Sequence, residues 1–182
     1  PKIMGILNIT PDSFSDGGNY LQLEGAIKFG LQMESEGADI IDVGGESTRP
    51  GSKRIPASLQ KKRVLPAIEG LRKELSKDAI ISIDTTLTEV ADAAIDAGAT
   101  MINDISAGRD DSNMFHLAAE RKVPMVLMHM QGAPGDMQNK PRYSNVIGEI
   151  KDFLIERVNQ AKVAGVKDKN IIIDPGIGFG KS

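Results

Sequence analysis

Glu36-Gly37-Ala38-Asp39-Ile40-Ile41-Asp42-Val43-Gly44-Gly45 holds the unit from which this chain is built. Gly37 marks a helix stop. Ala38-Asp39-Ile40-Ile41-Asp42-Val43 is too short for a helix and reads as a buried strand. Gly44 and Gly45 open a loop. The same grammar returns at Ala97-Gly98-Ala99 and Ala164-Gly165-Val166, each ahead of another apolar run.

Upstream, Leu21 to Glu36 has apolar residues at Leu23, Ala26, Ile27, Gly30, Leu31 and Met33, which is helical spacing. Before it, Ile3 to Leu7 reads as a strand. The loop that follows, through Asn8, Thr10, Pro11, Asp12, Ser13 and Gly18, is longer than the two to about six residues usual between strand and helix. Downstream, Leu59 to Leu75 reads as a helix in which Pro66 demands an early-turn position or a kink. The strands Ala79–Asp84, Thr100–Asp104, Pro124–His129 and Asn170–Asp174 then alternate with helices ending at Ala97, at Arg121 (from Ser112) and at Ala164 (from Asn145). Thr86 or Thr88 would cap the first of these. Alternation of this kind implies an α/β fold with a parallel sheet, and continuous apolar strands imply burial on both faces. An open doubly wound sheet and a (β/α)8 barrel both satisfy it. No strand leads into GxGxxG, which weighs against the open sheet. About six units are present, and roughly two more would be needed for the ~250 residues of a typical barrel.

At 182 residues, with 40% apolar residues, the length suits one domain with a core. A net charge of −3 without a basic block weighs against nucleic acid. The chain has no cysteine, so disulfides and thiolate metal sites are excluded, and a reducing cytoplasm is the fitting compartment. No apolar run spans a membrane, and Pro1-Lys2-Ile3 does not read as a signal peptide. The abrupt ends lead us to expect a domain incomplete at its C-terminus.

The strands end in Asn8, Asp42, Asp84, Asn103 with Asp104, His129 and Asp174. In a parallel barrel these ends share one rim. A single terminal Asp is matched by a helix-capping role. Six polar ends together suit a polar ring with donors and acceptors, since carboxylates accept and amides do both. Glu46-Ser47-Thr48-Arg49 adds hydroxyls and a guanidinium able to bind phosphate, although from this loop alone a solvated arginine is the simpler explanation. Gly176, Gly178 and Gly180 permit close backbone approach or merely a tight turn. His129 has no HxH or ExxH companion, so a hydrogen-bonded rim residue fits better than a metal ligand. Met125, Met128 and Met130 read as core or pocket wall, and Lys53 to Arg63 as a solvated face.

Six motifs together resemble the dihydropteroate synthase family, the sulfonamide targets of folate biosynthesis. They are Met4 to Gly18, Gly44-Gly45-Glu46-Ser47-Thr48-Arg49-Pro50-Gly51, Ser82-Ile83-Asp84-Thr85, Ile102-Asn103-Asp104, Met128-His129-Met130-Gln131-Gly132 and Asp174-Pro175-Gly176-Ile177-Gly178-Phe179-Gly180-Lys181. The resemblance implies a (β/α)8 TIM barrel. It would be a transferase that condenses 6-hydroxymethyl-7,8-dihydropterin pyrophosphate with p-aminobenzoate to 7,8-dihydropteroate and pyrophosphate. It further implies that Asp84, Asn103 and Asp174 hold the pterin, and that Met128 packs on it. Asn8 would stand at the Mg²⁺–pyrophosphate end. Thr48 and Arg49 would contact the leaving group and shape the p-aminobenzoate pocket, which Phe179 lines.

The implied chemistry is SN1-like: pyrophosphate leaves and a pterin-methyl cation forms. Arg49 would stabilise the leaving group, while Asp84 and Asp174 would favour positive charge on the pterin. The arylamine needs no strongly activated base. The family also carries a lysine on a seventh strand and an Arg-x-His motif on an eighth, both beyond the residues of this chain. Leu87 stands where the family commonly has lysine. A six-strand fragment would have two open edges, so low stability and little turnover are expected of it alone, with a homodimer at full length. A methyltetrahydrofolate-binding methyltransferase or a non-catalytic pterin-binding protein are the alternatives. The Thr10–Gly18 and Glu46–Arg49 loops argue against the first, which handles no pyrophosphate.

Overall fold

The computed structural model describes residues 1–10, 18–47, 54–132, 137 and 141–181. Six strands alternate with five helices: β1 (Met4–Asn8), α1 (Gly18–Ser35), β2 (Ile40–Gly44), α2 (Ala57–Glu74), β3 (Ile80–Asp84), α3 (Thr88–Asp96), β4 (Met101–Asp104), α4 (Asn113–Arg121), β5 (Met125–Met128), α5 (Val146–Val163) and β6 (Ile171–Asp174). Every expected strand and helix is present, with ends shifted by no more than one helical turn. Gly37, Gly98 and Gly165 have φ of 105°, 116° and 100°, the left-handed conformation that ends a helix. The chain forms two compact units, the first comprising residues 1–47, 54–85 and 89–101, the second 48–53, 86–88 and 102–182.

In the first unit, β1, β2 and β3 pair parallel in chain order. The register sets Leu7, Val43 and Ile83 side by side, each no more than 1% exposed, beneath the helices. The alternate face carries Ile6, Asp42 and Ser82 in one row and Asn8, Gly44 and Asp84 in the next. Helices α1 and α2 close tightly because Gly30 and Gly70 have no side chain: a Cβ at either would overlap Leu71 or Ile27. Pro66 lies inside α2 rather than in its first turn. It occupies the exposed face, where the Lys62 carbonyl it leaves without a helical partner is within reach of water.

In the second unit, β5 pairs parallel with both β4 and β6. Burial on both faces, expected of every strand, holds for β5 but not for β6. Ile172 and Ile173 point to opposite sides of β6 and are 43% and 57% exposed. An apolar groove of about 540 Å³ runs beside Ile173, lined by Ile147, Leu154 and Ile155 of α5. The start of α5 is fixed by a reciprocal cap. Asn145 accepts from the Gly148 amide, while Glu149 accepts from the amides of Ser144 and Asn145. Among the described residues no helix is long and apolar enough to cross a membrane.

Candidate active site

The first unit brings Asn8 and Asp84 to the same rung, on either side of Gly44. A Cβ built on Gly44 would lie 3.2 Å from Asn8 Oδ1 and 3.3 Å from Asp84 Oδ2. Two oxygen acceptors therefore converge on a gap that only glycine leaves open. Asn8 is exposed and Asp84 half-buried, so both can meet a ligand. Asp42, read as a strand end from sequence, is one rung deeper and only 4% exposed, beside the buried Ser82. It belongs to the floor of this face rather than to its rim.

Behind this rung lies a polar node that sequence reading missed. Gln60 of α2 is 4% exposed, and its amide uses every hydrogen-bonding group it has. Nε2 donates to Glu46 Oε2 (3.1 Å) and to the Ile55 carbonyl (3.3 Å), while Oε1 accepts from the Thr85 hydroxyl (2.9 Å). Glu46 Oε2 also accepts the Ile55 amide at 2.9 Å. Glu46 is therefore a brace, joining the end of β2 to the start of α2, and Thr85, the residue after Asp84, ties that brace to the end of β3 through Gln60. Arg63, read as part of a solvated face, donates to the Gly45 carbonyl at 2.8 Å. The available signal was an amide on the buried stripe Gln60, Val64, Ala67, Ile68 and Leu71 of α2. Gln60→Leu should leave Glu46 and Thr85 short of partners and cost about 1–3 kcal/mol. A thermal melt should show it as a fall of roughly 2–12 °C; an unchanged melt would remove Gln60 from this role.

In the second unit, the register separates Asn103 from its neighbour Asp104. Asn103 shares a face with Val126 and Ile172, and Met128 with Asp174 stand one step further on that same face. Asp104 points to the other side, fully buried, and closes the turn into α4. It accepts from the Ser106 amide (2.8 Å), the Ser106 hydroxyl (2.7 Å) and the Gly108 amide (2.7 Å). Burial pushes its carboxyl up, while these donors pull it back down. Asp104 is thus a structural brace, and Asn103 carries the rim position. Arg157 of α5 supports the same turn, donating from Nε to the Ala107 carbonyl at 2.7 Å and lying over the Phe115 ring.

Asp174 Oδ1 accepts the Gly176 amide at 2.7 Å, which starts the turn after β6. Phe179 packs on Met128, Met130, Met137 and Ile105, so the methionines form a wall with the one aromatic ring of this loop. His129 is 6% exposed, edge-on to Phe153 of α5 with ring centres 4.9 Å apart. Lys181 reaches it with Nζ 3.0 Å from His129 Nδ1. The hydrogen-bonded role expected for His129 is the one it has. Thr48 and Arg49 lie outside the described residues, as does Asp12.

Residues 4–182 match the family described as pterin binding enzyme. The chain is 48% identical over 180 residues to a dihydropteroate synthase of Synechocystis sp., covering 99% of this chain and 62% of that protein. It is similar in structure to Xanthomonas albilineans dihydropteroate synthase with 4-aminobenzoic acid, at TM-score 0.90 and 47% identity, over 100% of this chain and 63% of that one. The Xanthomonas albilineans enzyme in complex with 7,8-dihydropteroate gives TM-score 0.86 and 42% identity, again over 100% of this chain and 63% of that one. The chain spans a little under two thirds of the length of these relatives, so its six described strands and five helices are part of the barrel fold they share. With parallel strands in that fold and a family match running from the first strand through the Lys181 turn, the chain belongs to the pterin-binding enzyme family.

Proposed function

We propose that this protein is a dihydropteroate synthase, joining 6-hydroxymethyl-7,8-dihydropterin pyrophosphate to p-aminobenzoate with release of pyrophosphate. The observation that carries the reading is the convergence of Asn8 and Asp84 on the Gly44 gap, within the motifs that mark the family. The relatives with 4-aminobenzoic acid and with 7,8-dihydropteroate support it. Asp84, Asn103 and Asp174 hold the pterin ring, the two carboxylates accepting from its N–H groups and stabilising positive charge on it. Met128 packs against the ring, and Phe179 lines the p-aminobenzoate side. Thr48 and Arg49 bind the departing pyrophosphate. We place the protein in the cytoplasm and, at full length, as a homodimer; the cysteine-free composition suits that compartment.

Among the described residues no cluster of three His, Asp or Glu side chains could hold a metal. That suits Mg²⁺ delivered on pyrophosphate, because Mg²⁺ binds through one or two protein oxygens plus substrate phosphates and water. Asn8, exposed and presenting Oδ1, is such an oxygen. Bound there, Mg²⁺ would neutralise charge on the leaving group.

Calorimetry tests this. The pterin pyrophosphate should bind in the presence of Mg²⁺ and much more weakly without it, and p-aminobenzoate should bind only after it. Binding of methyltetrahydrofolate with no Mg²⁺-dependent binding of the pyrophosphate would replace this reading with a methyltransferase.

A further inference from the structure

Lys181 ends the turn after β6, and it is the best-satisfied cation among the described residues of this unit. Its three ammonium hydrogens have three acceptors: His129 Nδ1 at 3.0 Å, the His129 carbonyl at 2.9 Å and the Phe179 carbonyl at 2.9 Å. One side chain thereby joins the end of β5 to the backbone of the residue whose ring faces the methionine wall. The same turn is fastened twice more. Tyr143 donates its hydroxyl to the Gly180 carbonyl at 2.6 Å, and Phe179 donates its amide to the Gly176 carbonyl at 3.0 Å.

The first of these bonds has a chemical condition. An ammonium only donates, so Nδ1 must carry a lone pair and the imidazole proton must sit on Nε2. A doubly protonated His129 has no lone pair to offer and sets a second cation beside Lys181. The charged and titratable groups facing His129 are Lys181, Arg109, whose guanidinium lies 5.3 Å over Phe153, Glu149 of α5 and Tyr143. Asp174 faces Lys181. Burial, then Lys181, push the imidazole below its ordinary value of 6.5, with Glu149 opposing. Burial pulls the Lys181 ammonium down, and Asp174 draws it back up.

We propose that Lys181 is a positioning residue: held by a neutral His129, it fixes the Phe179 wall against which an aryl ligand packs, and acid releases that wall by protonating His129. The aryl ligand itself rests on the dihydropteroate synthase reading, whereas the clasp rests on the geometry alone. The sign follows from the neutral form being the one the fold prefers. The contact is complete above the ordinary histidine range and is lost as pH falls through the depressed folded value.

The chain has two histidines, His116 and His129, so both ring protons can be followed by NMR in the intact protein. The His129 midpoint should lie below the ordinary histidine value of 6.5. In Lys181→Met it should rise, because a neighbouring cation has gone. Calorimetry with p-aminobenzoate, in the presence of the pterin pyrophosphate and Mg²⁺, is then run from about pH 8 down to below the His129 midpoint found by NMR. Wild-type affinity should fall several-fold in step with the His129 titration. His129→Asn keeps an acceptor near the Nδ1 position and cannot titrate, so its profile should be flat. Lys181→Met should bind weakly at every pH. An unchanged His129 midpoint in Lys181→Met overturns the clasp, and so does a flat wild-type profile across the His129 titration. Absence of any p-aminobenzoate binding, with the NMR coupling intact, upholds the clasp and rejects the synthase reading.

Discussion

On the proposed dihydropteroate synthase activity, replacing Asp84 by asparagine is expected to lower kcat/KM on the order of 10²- to 10³-fold, the scale of losing one preorganised electrostatic contact. The change is nearly isosteric and removes only the charge. Asp84 ends β3 half-buried, across the Gly44 gap from Asn8. Folding should therefore survive, with a melting temperature within about 3 °C of wild type. The loss should fall on the step in which pterin charge develops, so kcat should drop more than pterin affinity. Steady-state kinetics on the intact enzyme, paired with a melt, separate the two. A melting temperature that falls in proportion to activity would make Asp84 a structural residue.

Gly176→Ala should be the most damaging single-methyl change in the turn after β6. Gly176 has φ of 66°, where an L side chain is strained by roughly 1–2 kcal/mol. Its added Cβ would also overlap the His129 carbonyl oxygen, a backbone atom already held by Lys181. Neither partner is the yielding end of a flexible side chain, so a total cost of about 3–4 kcal/mol follows. That corresponds to a melting temperature lower by roughly 6–16 °C for a domain of this size. Gly178→Ala is the internal control: it has φ of 90° but nothing within 4 Å of the new Cβ, so only the backbone strain remains. Equal losses from the two variants would show that the close approach to His129 is not what Gly176 is for.

The order of strands and helices was legible because each unit announces itself. Gly37, Gly98 and Gly165 stop helices, and the apolar runs that follow are too short to be anything but strands. The rim was legible only in part. Asn103 and Asp104 are adjacent letters, and nothing in their order says that the pleat sends one to the face shared with Val126 and the other into a helix turn. Asp42 looked terminal until the register placed it a rung below Asp84. Gln60 and Lys181 were missed for a related reason. Their partners, Thr85 and His129, lie 25 and 52 residues away in sequence, and such bonds follow from packing rather than from any local pattern. Exposure of β6 on both sides also contradicted its apolar letters, since burial depends on neighbours a strand does not encode.

The methionine wall has a consequence for oxidation chemistry. With eight methionines and no cysteine, sulfoxide formation is the sulfur lesion open to this chain. Met128, Met130 and Met137 are only 3–4% exposed, closed off together with Phe179. Peroxide can reach these sulfurs only in excursions that part the ring from the wall. Each sulfoxide then puts a polar S=O group among buried apolar side chains. The wall therefore keeps a chemical record of its own opening, written one oxygen atom at a time.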